Sequence, residues 1–360
     1  MKPYKILVTG ACGVTSRSVV RSLNQSAVFG GKCEFIGTDV CNLEYGIYEG
    51  LYDKVYRVPY FNDPSYRPMM ERIIAETGVE YAIVIPEPEM LSWCENPFNV
   101  KFHRIPPKFG RIVLSKKNLY DNLAGLPIVP KYQILSREEI MEHSDRVGLT
   151  YPFWVRDFAE GSTSGKGSFK AESVAELQAW ATINRGIPAF MLSEFLPGRN
   201  LACFTLFSNG RLVKYGVAER IDYVMGKVAV SGITGNTSKG RLLNCPEALD
   251  VSLAAINAIL AKTGETMNGL VVTDLKCDAS GRPVVTEINL RHVAFTSTFA
   301  SAGLNFSECQ MLILSGRADE IAPGQTLEFP DDNIMLRDVD GLPIYRTGYR
   351  TLEMGESFGE

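Results

Sequence analysis

Three oxygen-bearing side chains lie close together in the segment VVTDLKCDASGRPVVTEINLRH, residues 271–292. Two strand-like runs flank Ser280-Gly281, and a two-residue hairpin loop at that pair sets Asp274 directly opposite Glu287. Asn289 lies two positions beyond Glu287 and projects from the same face. Like charges placed opposite one another destabilise a sheet, so the arrangement asks for a cation. Two carboxylates and an amide oxygen are hard donors that suit Mg²⁺. A one-residue slip in register would break the group apart, and an exposed acidic hairpin face is the alternative use of the same residues.

A second cluster is GSTSGKGS, residues 161–168. Gly161, Ser162, Ser164, Gly165, Gly167 and Ser168 form a turn whose backbone N–H groups and hydroxyls could cradle phosphate oxygens. It is not a P-loop, because the Gly-x4-Gly-Lys-Ser/Thr pattern is not matched. Arg156 on the preceding strand, with Lys116 and Lys117 at the start of an earlier helix, could supply the positive charge that phosphates need. Each could equally be a surface cation. A third stretch, MLSEFLPGRN, reads as a strand running out at Pro197-Gly198. There Glu194 could accept a hydrogen bond from an adenine amino group, with neighbouring backbone groups completing the recognition.

The opening stretch KILVTGACGVTSRSVVRSL, residues 5–23, offers a rival. An apolar strand meets a Gly-rich turn and then a helix, and Asp39 ends the next strand as a ribose-binding carboxylate would. The dinucleotide fingerprint G-x-G-x-x-G nevertheless fails, since the second glycine comes one position late and the third is missing. An NAD(P)-dependent reductase or epimerase is therefore one alternative. A tight packing turn is another, and a helix N-terminus facing an anionic substrate group is a third.

These elements sit in a chain of 360 residues with a formal net charge of −4. That length implies two or three compact units. The acidic balance, with a pI near 5.7, recommends neither nucleic acid nor anionic lipid as a partner. No apolar run approaches a membrane span, and the N-terminus enters a strand without a signal-peptide core. The eight cysteines form no CxxC pair and read as reduced thiols of a cytoplasmic protein. The three histidines, His103, His143 and His292, show no zinc-ligand spacing.

Strand and helix signals alternate through the first hundred residues, which predicts a parallel sheet covered by helices. GRIVLS is expected as a strand, and VIPEPEM as an acidic loop after the last strand of this region. From about residue 110 the rhythm changes: strands follow one another, with Asn209-Gly210 as a hairpin turn, a strand pair around Ser280-Gly281, and Ser173 to Glu176 as a capping box. Signals weaken beyond about residue 320.

In order and spacing, the phosphate-loop segment YPFWVRDFAEGSTSGKGSFKAES, the connector LSEFLPG and the metal segment VVTEINLR resemble the ATP-grasp superfamily. The similarity is strongest to the carbamoyl-phosphate-synthase large-subunit type and covers roughly residues 1–315. It implies an α/β and α+β chain: an N-terminal Rossmann-like pre-ATP-grasp domain followed by a two-subdomain ATP-grasp module. The expected divisions are 1–108 for the first domain, 109–188 for the subdomain with the phosphate loop, 189–320 for the subdomain with the metal site, and 321–360 for an extension without an assigned role. The resemblance implies ATP and Mg²⁺ as cofactors, with Mn²⁺ as a substitute. Glu194, Phe195 and Leu196 would hold adenine, and Lys117 or Lys116 with Arg156 the phosphates under the 161–168 loop. Asp274, Glu287 and Asn289 would hold the metal. Arg291 would meet the transferred phosphoryl group or the substrate carboxylate, and Arg220 a substrate carboxylate. Asn200 replaces the acidic residue that often binds ribose, and Asn289-Leu290-Arg291 replaces Asn-Pro-Arg. Gly10, Cys12 and Gly13 would lie beside the substrate cleft, Glu87 or Glu89 would bind an acceptor ammonium, and His292 would line the substrate end. The expected activity joins a small carboxylate, amino-acid-like or bicarbonate, to an amine through an acyl phosphate. A homodimer is compatible with this, and an ATP-binding regulatory protein is the non-catalytic alternative.

Overall fold

The structure, a computed structural model, describes residues 2–40, 44–158, 167–322, 327–338, 343–345 and 347–359. Strands β1 (Tyr4–Thr9), β2 (Cys33–Asp39), β3 (Lys54–Arg57) and β4 (Tyr81–Ile83) pair in parallel. Their apolar runs, such as the fully buried Ile6-Leu7-Val8, suit a sheet covered on both faces. Helices α1 (Val14–Asn24), α2 (Glu44–Tyr48), α3 (Tyr66–Thr77) and α4 (Glu87–Glu95) interleave with these strands and follow them. Helix α3 stops where Gly78 turns left-handed, at φ 64°.

Two expectations change here. VIPEPEM is not a loop, because Pro86 caps α4 and Pro88 sits in its first turn, where the missing N–H costs nothing. GRIVLS is not a strand; most of it lies in α5 (Pro107–Val113). A short apolar run does not distinguish strand from helix, and Phe109, Gly110 and Val113 recur with helical spacing on the buried face. Helix α6 (Lys116–Leu123) follows, capped by the Ser115 hydroxyl accepting from the Asn118 N–H.

The second sheet is antiparallel. It contains β5 (Tyr132–Ser136), β6 (Phe153–Asp157), β7 (Phe169–Ala171) and β8 (Ala189–Glu194), in the order β5-β8-β6-β7. Helices α7 (Arg137–Glu142) and α8 (Val174–Ile183) cover it. Ser136 and Glu139 form a reciprocal capping box on α7, while Ser173 accepts from the Glu176 N–H at α8. This sheet has a small core of its own, including Ile140, Phe153, Leu177 and Phe190.

The third sheet contains β9 (Asn200–Ser208), β10 (Arg211–Tyr223), β11 (Thr237–Leu243), β12 (Gly269–Cys277), β13 (Pro283–Asn289) and the short β14 (Met335–Leu336), in the order β13-β12-β9-β10-β11-β14. Asn209 and Gly210 turn from β9 to β10 with φ of 48° and 77°, the two left-handed positions of the tight hairpin. Helix α9 (Pro246–Thr263) backs the sheet, and α10 (Thr296–Ser301) and α11 (Phe306–Leu314) lie against its other face and against α1. The tail then returns to the first sheet, where β15 (Ser357–Gly359) pairs antiparallel with β3.

The first and third sheets share two continuous apolar cores. In one, the Phe299 ring lies 4.8 Å from that of Phe204 and 5.3 Å from that of Phe306. A polar knot lies in the same junction. His292 Nε2 is 2.8 Å from Gln310 Oε1 and its Nδ1 is 3.2 Å from Thr296 Oγ1, while His103 Nε2 is 3.3 Å from the Gln310 carbonyl. Burial pushes both imidazoles down to about 4.

Two predictions follow from this junction. Phe299→Ala removes a fully buried ring and is expected to cost about 3–5 kcal/mol in urea unfolding; a loss below about 1 kcal/mol would contradict the packing described. Both histidines are neutral when folded and protonate near pH 6.5 when unfolded, so below that pH the unfolded chain binds more protons and stability falls. Each histidine contributes a slope of about 1.4 kcal/mol per pH unit between roughly pH 6 and 4. His292→Gln should shallow the measured slope by that amount, and an unchanged slope would refute it.

Candidate functional site

The β12–β13 hairpin sets Asp274 opposite Glu287 and Val272 opposite Asn289. It reaches this register by a different route from a two-residue loop. The Asp278 N–H donates to the Arg282 carbonyl at 2.9 Å, closing a three-residue loop with Gly281 at φ 87°. Pairing next to the loop is Cys277 with Pro283, Lys276 with Val284 and Leu275 with Val285. A bulge at Thr286 then inserts one residue into β13 and restores the opposition of the two acids. The Thr286 hydroxyl holds the bulge by donating to the Asp274 carbonyl at 3.1 Å.

Each acid has its own cation. Arg220 on β10 reaches across β9 to Asp274, NH2 to Oδ1 2.8 Å, over the small side chain of Ala202. Lys116, in the first turn of α6, holds Glu287, Nζ to Oε1 3.1 Å. Burial pushes the Asp274 carboxyl above the ordinary range against the pull of Arg220. Burial acts the same way on Glu287, but Lys116, Arg156 and Arg291 together outweigh it and hold that carboxyl below the ordinary range.

These groups face a cavity of about 1070 Å³ between the second and third sheets, bordered by Thr15 from the first unit. Arg156 lines it, and its Nε is buried without a hydrogen-bond partner. Arg291 lines it with NH1 donating to the His292 carbonyl at 3.0 Å and Nε 3.9 Å from Glu87 Oε2. Glu194, Phe195 and Leu196 run along another wall. Asn200 donates to the Tyr223 hydroxyl at 2.6 Å and accepts from Arg220 at 3.3 Å. Ser168 is at the cavity edge. Gly167, at φ 67°, accepts from Trp180 Nε1 through its carbonyl at 2.9 Å. Gly161, Ser162, Ser164 and Gly165 lie outside the described residues.

Other candidates are placed elsewhere. Lys117 points to solvent and pairs with Asp121 one turn on, so of these two lysines Lys116 is the one that lines the cavity. Gly10, Cys12 and Gly13 do not line it; Thr15 on the following turn does. Gly46 of α2 packs so closely over Cys12 that an added Cβ would come within 2.6 Å of the Cys12 Cα. Asp39 turns inward and accepts the Cys12 N–H at 2.9 Å, so its carboxylate braces the turn. Glu87 accepts the Leu290 N–H at 2.7 Å and thereby ties α4 to the end of β13 beside Arg291. Glu89 is buried in the first unit, hydrogen-bonded by Tyr66, whose hydroxyl in turn accepts from Trp93 Nε1 at 2.8 Å. Burial pushes the Glu89 carboxyl up to about 7. His292 belongs to the buried knot with Gln310 and does not reach the cavity.

The cavity also exposes groups that motif reading passed over. Lys276 lines it two residues along β12 from Asp274, and burial lowers its pKa. The strand period alone would have put it on the acidic face. Lys170 lies 4.8 Å over the Phe195 ring. Trp154, Tyr223 and the segment 229–236 complete the walls, and a hairpin loop of that length carries no motif to find it by.

Two carboxylates and an amide oxygen facing one cavity match the oxygen chemistry of Mg²⁺. Among the described residues no three His, Cys, Asp or Glu side chains close up to hold a metal unaided. A set of this kind is completed by phosphate oxygens.

No protein-family model matches the sequence, and no curated protein matches it. Solved structures do resemble the chain. A carboxyaminoimidazole ribonucleotide synthase from Aspergillus clavatus, complexed with ATP, superposes with a TM-score of 0.67 at 16% identity, over 93% of this chain and 82% of that one. An L-amino acid ligase from Bacillus licheniformis gives 0.63 at 14% identity, over 90% and 78%. The biotin carboxylase domain of the Hydrogenobacter thermophilus 2-oxoglutarate carboxylase, with MgADP and bicarbonate, gives 0.59 at 15% identity, over 93% and 73%. The fold of this chain, a parallel sheet followed by two antiparallel sheets around a cleft, is the fold of the ATP-grasp ligases.

Proposed function

We propose that the chain is an ATP-dependent ligase that joins a small carboxylate, amino-acid-like in character, to an amine through an acyl phosphate. The observation that carries this reading is the set Asp274, Glu287 and Asn289, ringed by Lys116, Arg156, Arg220 and Arg291 in one cavity between two antiparallel sheets. The neighbours add support, since they include an L-amino acid ligase and a biotin carboxylase domain in complex with bicarbonate.

In this reading Glu194 and the backbone of Phe195 and Leu196 take the adenine. Among the described residues no backbone hydrogen-bond partner is found for the Leu196 main chain, which follows the end of β8. Lys116 and Arg156 hold the phosphates, with Gly167 and Ser168 at the rim. Asp274, Glu287 and Asn289 hold Mg²⁺, which supplies charge neutralisation on the phosphate oxygens when bound. Arg291, fixed by Glu87 behind it, faces the oxygens of the substrate acid. The carboxylate oxygen attacks the γ-phosphorus and ADP departs. The amine then attacks the acyl carbon, loses a proton and displaces phosphate. Such chemistry depends on positioning and fixed charge rather than on a protein nucleophile. Against the nicotinamide alternative, Asp39 is buried and accepts the Cys12 N–H through Oδ2.

The direct test is release of ADP and phosphate from Mg·ATP against amino acids and bicarbonate, singly and in pairs with amines. Release that requires two pool members is expected; nucleotide binding without release under any pair would favour a regulatory protein. Glu287→Ala should lower that release at least about 100-fold with the fold retained by circular dichroism, and undiminished release would sink the metal assignment. Arg220→Met leaves Asp274 buried beside Glu287 without its partner. It should destabilise the chain by about 3–5 kcal/mol, whereas Arg220→Met with Asp274→Leu should recover much of that loss. Equal losses in the single and double variants would contradict the pairing.

A further inference from the structure

Three arginines gather where α1, the segment before α10 and the strand β14 meet, and among the described residues one acid, Glu49, pairs with two of them. Arg17 and Arg21, one turn apart on α1, share the single carboxylate of Glu49, with Arg17 NH1 at 2.9 Å from it. Arg337, just after β14, donates through NH2 to the Ala294 carbonyl at 2.7 Å. Its NH1 is buried without a hydrogen-bond partner, and so is Arg17 Nε. Burial lowers the Arg337 pKa, and the charges of Arg21 and Arg17 lower it further, so the three guanidiniums repel one another. The α1 side is held against this region by Ser18, whose hydroxyl lies 2.9 Å from that of Ser297 and accepts the Ser297 N–H at 3.0 Å.

The place adjoins the cleft. A second chamber of about 590 Å³ is lined by Arg337, Asp338 and the β10–β11 hairpin from Ile221 to Lys227. It shares Ile221, Tyr223, Ser231 and Gly232 with the main cavity, while Ala294, which Arg337 holds, lines the main cavity beside Thr15. Among the described residues, Asp222, Asp338 and Lys227 are the other charged groups on the chamber wall. Buried guanidinium nitrogens without partners mark a place where an acceptor group is wanted, and planar forks of this kind match carboxylate and phosphate oxygens.

We propose that Arg337, with Arg17 and Arg21 behind it, binds an anionic oxygen group, a carboxylate or a phosphate, carried by the amine-bearing acceptor substrate. Calling the ligand the acceptor rests on the ligase reading; the anion site itself does not. The acceptor is then a bifunctional molecule, with its amine toward Arg291 and its anion in the side chamber.

The experiment titrates inorganic phosphate and, separately, succinate into the full chain saturated with Mg²⁺ and a non-hydrolysable ATP analogue, so that the nucleotide phosphate positions are filled. Calorimetry reads the apparent Kd. Saturable binding of at least one anion is expected, weakened at least tenfold by Arg337→Gln and less by Arg337→Lys, with the analogue bound equally by all. Arg21→Gln, at a more exposed position, should weaken it severalfold and serves if Arg337→Gln fails to fold. Phosphate alone binding identifies a phosphorylated acceptor, and succinate alone a carboxylate-bearing one. No saturable binding, or equal affinity in wild type and variants, overturns the site. Failure of the ATP analogue to bind while the arginine-dependent anion binding persists would overturn the ligase reading and leave the anion site standing.

Discussion

Two carboxylates held face to face across one hairpin are the constraint around which the cleft is arranged. Asp274 and Glu287 would push their strands apart if left alone. Their compensation comes from distant parts of the chain: Lys116 from α6, Arg220 from β10, and more loosely Arg156 from β6 and Arg291 beyond β13. A helix, two strands from different sheets and the segment after β13 must therefore converge on one pair of acids. The bulge at Thr286 is part of the same device, since without the extra residue Glu287 would turn to the opposite face. The two acids also end up in different electrostatic states. Glu287 is held ionised by several cations, whereas Asp274 has one partner and is pushed upward by burial.

The packing divides the cleft into a fixed side and a lighter one. The first and third sheets share two large apolar cores, joined by the Phe204–Phe299–Phe306 cluster and the His292–Gln310 knot. The second sheet has a small core of its own and joins the larger one through Met191, with Tyr132, Ile134 and Phe158 packed against it. A unit with few shared apolar contacts opens at lower free energy than the body it rests on. The acids thus stand on the fixed side, while Arg156 and Ser168 are carried on the lighter one.

Local signals made much of this legible. The alternation of the first hundred residues gave the parallel sheet, and Asn209-Gly210 gave its hairpin. The opposition of Asp274 and Glu287 was also read, but through a loop one residue too short and without the bulge; the two errors cancel. Neither can be seen locally, because Thr286 carries no bulge signature and Ser280-Gly281 suits both loop lengths. GRIVLS was misread because a six-residue apolar run has no period long enough to separate strand from helix. Lys116 and Lys117 are indistinguishable in sequence; only the packing of α6 decides which faces Glu287. Glu89 and His292 stand beside motif residues yet point into cores, which depends on distant partners such as Tyr66 and Gln310.

The Gly-rich turn at the start of the chain shows why motif position and chemical role diverge. In a dinucleotide site the turn must leave room above it, and the acid at the end of β2 must face outward to a ribose. Here the room is filled by the backbone of α2 at Gly46, and Asp39 faces inward to the Cys12 N–H. The turn is stiffened from both sides, and a stiff turn fixes the direction of α1. That direction brings Thr15 to the border of the main cavity and sets Arg17 and Arg21 toward Arg337. The first unit keeps the strand–turn–helix geometry associated with nucleotides, with Arg17 and Arg21 of α1 paired to Glu49 beside Arg337. In the proposed reading nucleotide chemistry belongs to the two antiparallel sheets, where the acids, Lys116 and the connector line one cavity, and the parallel sheet contributes Thr15 at its border.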